Sequence, residues 1–347
     1  MEASDIKRIL ISRLRFIGDV VLTTPVIRAL KRQYPEADLY YLAESGPAAA
    51  LAHSPHLEGV IVLPDELLPA RSVLTRCREH ARFIRSLRKR RFDLAIDLFG
   101  NPRSALLTLA TGARYRVGYD VRGRGTAYNI KIRRSASLRV VDAYLDAVRT
   151  IGVPAEDGRT EVHFSAEDAK WAESWLVERG IDHTRPIAAL NPGASWPAKT
   201  WSAERFAELA KALIEELNVR VLLVAEPGRR EATAGVNALS GHACPVVETE
   251  SLTRLAALIA RCDLYVSNDC GPMHIAVAAG TSTIGLFGPS RPEIWFPYPK
   301  ADGHVALRAE TDTCCGRDHC VRPTPCIESI SSRKVLEVAE SVLGRST

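Results

Sequence analysis

Short apolar runs alternate with helical periodicity along the whole chain. "KRILISR", "DLYYLAES", "GVIVLP", "FDLAIDLFG" and "RYRVGY" mark the first half, and "PIAALNPGA", "VRVLLVAEPG", "DLYVSND" and "TSTIGLFGP" the second. Runs this short and this continuously apolar fit strands buried on both faces, as in a parallel sheet covered by helices. The segments between them keep a spacing of three and four: in "WSAERFAELAKALIEEL", Phe206, Leu209, Ala210, Leu213 and Leu217 share one face. Strand then helix, repeated on both sides of a break, predicts an α/β chain of two doubly wound parallel-sheet domains. The break falls in "IGVPAEDGRTEVHFSAEDAKWAESW", where Pro154, Gly158 and several acids interrupt the alternation until a new cycle starts at Pro186. We therefore expect a first domain over residues 1–160, a second over 161–330, and a terminal helix within 331–347 that returns to the first domain. Two such sheets would leave a cleft at the carboxyl ends of their strands, the default position for a ligand.

A length of 347 residues suits two domains, and 46% hydrophobic with 25% charged residues is the composition of a soluble globular protein. No apolar run approaches the ~20 residues of a membrane span. The opening "MEASDIKRILISR" enters a strand without an apolar signal segment, so a cytoplasmic protein is expected. Charge is distributed unevenly. Residues 1–160 hold 27 Lys and Arg against 17 Asp and Glu, a net +10, while the remainder carries 19 against 24. "RSVLTRCREHARFIRSLRKRR" (71–91) and "RYRVGYDVRGRGTAYNIKIRR" (114–134) supply most of the excess. Such a field favours an anionic partner: a phosphorylated small molecule, an acidic membrane surface or nucleic acid. For 71–91 the plain alternative is a solvated basic helix. Nucleic acid is disfavoured, because aromatic residues make up 6% of the chain and do not interleave with the basic runs as stacking platforms would.

No G-x-G-x-x-G follows the first strand and no G-x-x-x-x-G-K-[ST] occurs, which weakens the dinucleotide and P-loop readings. The strand ends carry other chemistry. Asp19 stands in the Gly-Asp pair of "ISRLRFIGDVVLTTPVIRAL" (11–30), read as the turn between a strand and an amphipathic helix. Lys199 lies just ahead of a helix start in "SWPAKTWSAERF", with Ser202 as its N-cap; backbone N–H groups and an ammonium together seat phosphate oxygens. Glu226 follows "VRVLLVA", where a carboxylate accepts hydrogen bonds from ribose hydroxyls. "VSNDCGPMHIAVAAG" brings Asn268 and Asp269 to a strand end, turns at Gly271 and opens a helix with His274 on its first turn. Each residue alone has a bland reading as a turn lysine, a turn-forming glutamate, a cap or a satisfied core histidine. Asp19 and Asp269 together, one per domain, with Lys199 beside them, suit phosphate-ester chemistry or glycosyl transfer. In either, a base deprotonates a hydroxyl while cations stabilise a departing diphosphate.

"RLRFIGDVVLTTPVIRALKRQYP", "NPGASWPAKTWSAERFAELA" and "VSNDCGPMHIAVAAGTSTIGLFGPSRPEIWFP" resemble the signature segments of glycosyltransferase family 9, the ADP-heptose:lipopolysaccharide heptosyltransferases, in consistent order from about residue 7 to residue 330. The resemblance implies a GT-B fold of two Rossmann-like domains with an interdomain cleft, the acceptor bound by the first and the sugar nucleotide by the second. It implies inversion at the anomeric carbon, with no cofactor required for catalysis. It makes Asp19 the general base and puts Lys199, with Thr200 beside it, on the diphosphate and Glu226 on the adenosine ribose. Asp269, Cys270, Gly271 and His274 fall on the donor sugar and phosphates, and Arg122 and Arg124 on the acceptor. The implied partners are ADP-L-glycero-D-manno-heptose, the anionic inner core of lipopolysaccharide and, peripherally, the cytoplasmic face of the inner membrane. Cys270 stands where many relatives carry Ser or Thr. In "DTCCGRDHCVRPTPC", Asp312 occupies the place where a C-x-x-C would begin. Cys314, Cys315, Cys320 and Cys326, with His319 nearby, are a candidate structural zinc or iron site, set against a reduced, metal-free loop. Three other functions stay open: a GT-B sugar-nucleotide epimerase, a family 9 transferase with another donor sugar, and a metal- or nucleic-acid-binding protein.

Overall fold

The computed structural model describes residues 5–64, 73–121, 123–194, 196–228, 230–241, 244–309 and 324–344, and divides into two compact units, Met1–His163 and Phe164–Thr347. In the first, β1 (Arg8–Ser12), β2 (Asp38–Glu44), β3 (Gly59–Leu63), β4 (Leu94–Asp97), β5 (Tyr115–Gly118) and β6 (Ile130–Lys131) form one sheet in the order β3-β2-β1-β4-β5-β6. In the second, β7 (Ile187–Asn191), β8 (Arg220–Ala225), β9 (Val246–Glu248), β10 (Leu264–Asn268), β11 (Ser282–Phe287) and β12 (Val305–Arg308) follow the order β12-β11-β10-β7-β8-β9. All these pairings are parallel. Traced from opposite edges the two sheets have the same topology, the doubly wound α/β arrangement expected from the alternation. Each reverses strand order once, between β1 and β4 and between β7 and β10. A ligand crevice opens at such a reversal, because the connections on either side leave for opposite faces.

The apolar runs become strands because both of their faces are covered: every residue of β4, β7 and β10 is buried. Helix starts are marked by the chemistry that satisfies orphan N–H groups. Asn101 and Ser104 form a capping box on the Pro102–Ala110 helix, as do Ser165 and Asp168 on Ala166–Val177. Ser202 caps Ala203–Glu215, whose Phe206, Leu209, Ala210 and Leu213 are buried on the predicted face. The periodicity did not reveal β6, β9 and β12, strands of two to four residues with partly exposed patterns.

The terminal helix Ser332–Leu343, read as a segment returning to the first domain, is instead part of the second core. Val335, Leu336, Ala339 and Val342 pack there with Leu209, Leu213 and Leu264. Its exposure pattern makes it a stabilising element of that unit. Leu336→Ala should lower the unfolding free energy by ~2–5 kcal/mol in urea denaturation, the usual cost of a buried leucine deletion. Leu106→Ala, at a position 66% exposed, should change it by less than ~0.5 kcal/mol. Equal effects would contradict this packing.

Candidate functional site

The switch point of the first unit is occupied by a buried ion pair. β1 ends at Ser12, and the chain turns through Arg13–Phe16 before the helix Ile17–Leu22. Phe16 closes that turn with φ 70° and ψ 114°, a left-handed conformation that costs a non-glycine residue ~1–3 kcal/mol, and its carbonyl accepts the Val20 N–H at 3.1 Å. Gly18 and Asp19 therefore lie inside the helix rather than in the turn assigned to them from the sequence. Asp19 is only 8% exposed. Arg13 Nη2 lies 2.8 Å from its Oδ1, and the hydroxyl of Tyr144, from the helix Val140–Arg149, donates to the same oxygen at 2.6 Å. The Arg13 guanidinium also covers the ring of Phe99, 4.2 Å from its centroid. Phe99 is held from below by Asp97 at the end of β4, which accepts the N–H groups of Phe99 (2.8 Å) and Gly100 (3.0 Å) and the Tyr128 hydroxyl (2.6 Å).

These surroundings fix protonation states. Burial pushes the Tyr144 phenol far above its usual range, and the neighbouring Asp19 charge pushes it further, so Tyr144 remains a donor. Burial works against the charge on Arg13, but Tyr144 and Asp19 more than offset it and hold the guanidinium above its ordinary range. Sequence reading missed both partners of Asp19. Arg13 closes the apolar run "KRILISR", and Tyr144 lies 125 residues from Asp19 in a segment that the sequence reading did not single out.

The second unit repeats the scheme at its own switch point. Lys199 ends the single 3-10 turn Pro197–Lys199 after β7, and its Nζ lies 2.6 Å from Asp269 Oδ2, just beyond β10. The Ser290 hydroxyl donates to that same oxygen, a contact the sequence did not suggest. Lys199 Nζ also sits 4.7 Å from the centroid of the half-exposed Trp196 ring. Two amide side chains brace the loop that carries the lysine. Asn191 Oδ1 accepts the Gly193 N–H at 2.9 Å; Asn268 accepts the Trp201 N–H at 3.1 Å and donates to the Pro192 carbonyl at 3.0 Å. Gly288 permits the close approach behind it, since a Cβ there would fall 2.8 Å from the Ala198 carbonyl oxygen.

Cys270 precedes the helix Gly271–Ala278 at its N-cap position, with Sγ 3.3 Å from the Ser267 hydroxyl and 3.6 Å from the Asn191 amide nitrogen that donates to it. Burial pushes the Cys270 thiol up to about 11, so it is a neutral thiol near pH 7. His274 is buried in the same helix, its Nδ1 2.7 Å from the Tyr298 hydroxyl. The structure thus brings Lys199, Asp269 and Cys270 to one strand end, with Gly271 and His274 on the helix that follows. Thr200 turns its hydroxyl back to the Trp196 carbonyl at 3.1 Å, and Glu226 is exposed just after β8, on the far side of β7 from β10. The turn after β8 is ordered by Glu248, which accepts the Gly228 N–H at 2.8 Å and pairs with Arg230.

Arg122, Cys314, Cys315, Cys320 and His319 lie outside the described residues, and Arg124 is described only through the backbone of the 3-10 turn Arg124–Ala127. Cys326 is buried at the start of the turn Cys326–Ser329. Among the described residues no three His, Cys, Asp or Glu side chains are grouped to hold a metal ion, and no helix is long and apolar enough to cross a membrane.

Residues 80–324 match the family model described as glycosyltransferase family 9 (heptosyltransferase). The chain is 27% identical to the lipopolysaccharide core heptosyltransferase OpsX of Haemophilus influenzae, over 88% of this chain and 85% of that protein. Its fold is similar to that of a family 9 glycosyl transferase from Veillonella parvula, with a TM-score of 0.84, 24% identity and 99% of each chain covered. It is also similar to that of E. coli heptosyltransferase WaaC with ADP-2-deoxy-2-fluoro heptose, with a TM-score of 0.74, 20% identity, and 96% of this chain and 99% of that one covered.

The raised Cys270 thiol yields a direct test. Alkylation of the Cys270 peptide by iodoacetamide, followed by mass spectrometry, should be slow at pH 7 and still rising toward pH ~11, because only the thiolate reacts. A rate already at its plateau by pH 8 would contradict the environment described.

Proposed function

The chain belongs to glycosyltransferase family 9, and from that premise we propose that it transfers heptose from ADP-L-glycero-D-manno-heptose to the inner core of lipopolysaccharide. The observation that carries the mechanism is the pair of buried carboxylate–cation contacts, Asp19 with Arg13 and Asp269 with Lys199, each at the strand-order reversal of its own sheet. A relative named for lipopolysaccharide core heptosyl transfer and a structural neighbour holding an ADP-heptose analogue support the acceptor and donor classes.

In this reading the first unit binds the acceptor and the second the donor, the division of labour of a GT-B enzyme. The acceptor hydroxyl attacks the anomeric carbon while the bond to ADP breaks on the opposite side. The hydroxyl proton passes to Asp19, which becomes competent as the hydroxyl acidifies in the transition state. The electron pair of the breaking bond goes to the diphosphate. Its charge is met by Lys199 and by the N–H groups at the Gly271 helix start, and Asp269, relieved of part of its hold on Lys199, keeps Ser290. Cys270 and His274 line the sugar side of the donor, Thr200 the diphosphate, and Glu226 takes the ribose hydroxyls. The reaction is written without a metal, since an ammonium and backbone donors supply the leaving-group stabilisation. Arg122 and Arg124 take the acidic sugars and phosphates of the acceptor. The net +10 of residues 1–160 favours the anionic cytoplasmic face of the inner membrane, where that acceptor is anchored.

A thermal-shift panel tests the donor class: ADP-heptose and ADP should raise the melting temperature at concentrations where UDP- and GDP-sugars do not. A shift with UDP-sugars alone would move the chain to another donor. Asp19→Asn should lower kcat at least ~1,000-fold with the Kd for ADP-heptose changed less than ~3-fold; loss of donor binding instead would remove Asp19 from the role of base. ADP-heptose without acceptor should keep its configuration by NMR, whereas isomerisation would favour an epimerase.

A further inference from the structure

Among the described residues of the first unit four carboxylates are buried: Asp19, Asp97, Asp142 and Asp146. Three of them have both oxygens engaged. Asp97 accepts two backbone N–H groups on Oδ1 and Tyr128 on Oδ2. Asp142 takes Ser137 and Arg139 on Oδ2 with Arg149 3.5 Å from Oδ1, and Asp146 takes Ser135 on Oδ2 with Arg149 on Oδ1. This is the pattern of a buried group whose polar capacity is used for structure. Asp19 departs from it. Its two partners, Arg13 and Tyr144, converge on Oδ1, while Oδ2 accepts from no described residue and is not sealed in the interior.

We propose that Arg13 and Tyr144 are positioning residues that occupy Oδ1 of Asp19 and present Oδ2 as the oxygen that takes the acceptor proton. The inference rests on the reading of Asp19 as the base and deepens it. A carboxylate free to rotate divides its basicity between two oxygens and many orientations; two donors on one oxygen fix the plane and aim the other. The donors are suited to the task. The Tyr144 ring is buried and its phenol, pushed up by burial, donates to Oδ1 at 2.6 Å. The Arg13 guanidinium is set by the Phe99 face, and among the described residues nothing competes for it at its buried Nε. In the transfer step the acceptor O–H bond breaks and an Oδ2–H bond forms. The acceptor oxygen bonds the anomeric carbon, and the bond to ADP breaks with its electron pair on the diphosphate.

The test compares Tyr144→Phe, Arg13→Lys and Arg13→Met with Asp19→Asn by steady-state kinetics on the full chain, with melting temperature measured alongside. Tyr144→Phe, which keeps the ring, should lower kcat ~10- to 100-fold, the range of one charge-assisted hydrogen bond, with both KM values within ~2-fold and the fold intact. Arg13→Met should lower kcat further, and Arg13→Lys should recover part of that loss by restoring the charge. Wild-type kcat in Tyr144→Phe beside an inactive Asp19→Asn would overturn the positioning role and leave the base in place. An active Asp19→Asn would overturn the base itself, and a rise in acceptor KM at unchanged kcat would make Tyr144 a binding residue. Should Arg13→Met fail to fold, Tyr144→Phe decides alone.

Discussion

A carboxylate withdrawn from water has to find a cation or a full set of donors, and this chain places one at the strand-order reversal of each sheet. Asp19 is held by Arg13 and Tyr144, Asp269 by Lys199 and Ser290, and in both cases the partners converge on a single oxygen. Removing either cation would leave a buried charge uncompensated, a far larger penalty than the pair's net contribution to stability. The loops that carry these residues are accordingly over-determined. Asp97 fixes the Phe99 backbone under Arg13, and Asn191 and Asn268 tie the Lys199 loop to β7 and β10. The fold positions the chemistry through these hydrogen bonds.

The two units use the same device, a buried carboxylate that shares one oxygen between a cation and a hydroxyl. In the function proposed above, the carboxylate of the first is the working group and the cation orients it. In the second, under the same proposal, the cation is the working group, with the carboxylate and its serine holding the ammonium until a diphosphate competes for it. On that proposal, two Rossmann-like sheets with matching topology carry a proton acceptor in one and an anion acceptor in the other.

Much of this was legible in the sequence because parallel strands covered on both faces must be continuously apolar. Of the nine apolar runs, each became a strand, and the residues just past the central ones, Asp19, Lys199 and Asp269, were conspicuous as charges at the ends of such runs. The missing strands β6, β9 and β12 are short and partly exposed, so no apolar run announced them. The partners of the charges were harder to see. Tyr144 and Ser290 meet their carboxylates across 125 and 21 residues, and nothing in local periodicity distinguishes a buried phenol that packs from one that donates. The Gly-Asp pair was placed in a turn because glycine suggests one; the left-handed residue is Phe16, two positions earlier, which let the helix begin before Gly18. The terminal helix showed an amphipathic face but no mark of which core it would cover.

A base that takes the acceptor proton while ADP departs from the opposite side permits a single displacement and no covalent sugar–enzyme intermediate. The most direct measurement is NMR of the linkage formed from ADP-heptose of known anomeric configuration and a deacylated inner-core acceptor. The account predicts the opposite configuration at the anomeric carbon of the product. A retained configuration would require two displacements and a nucleophile, and would contradict the assignment of Asp19 as a base acting on the incoming hydroxyl.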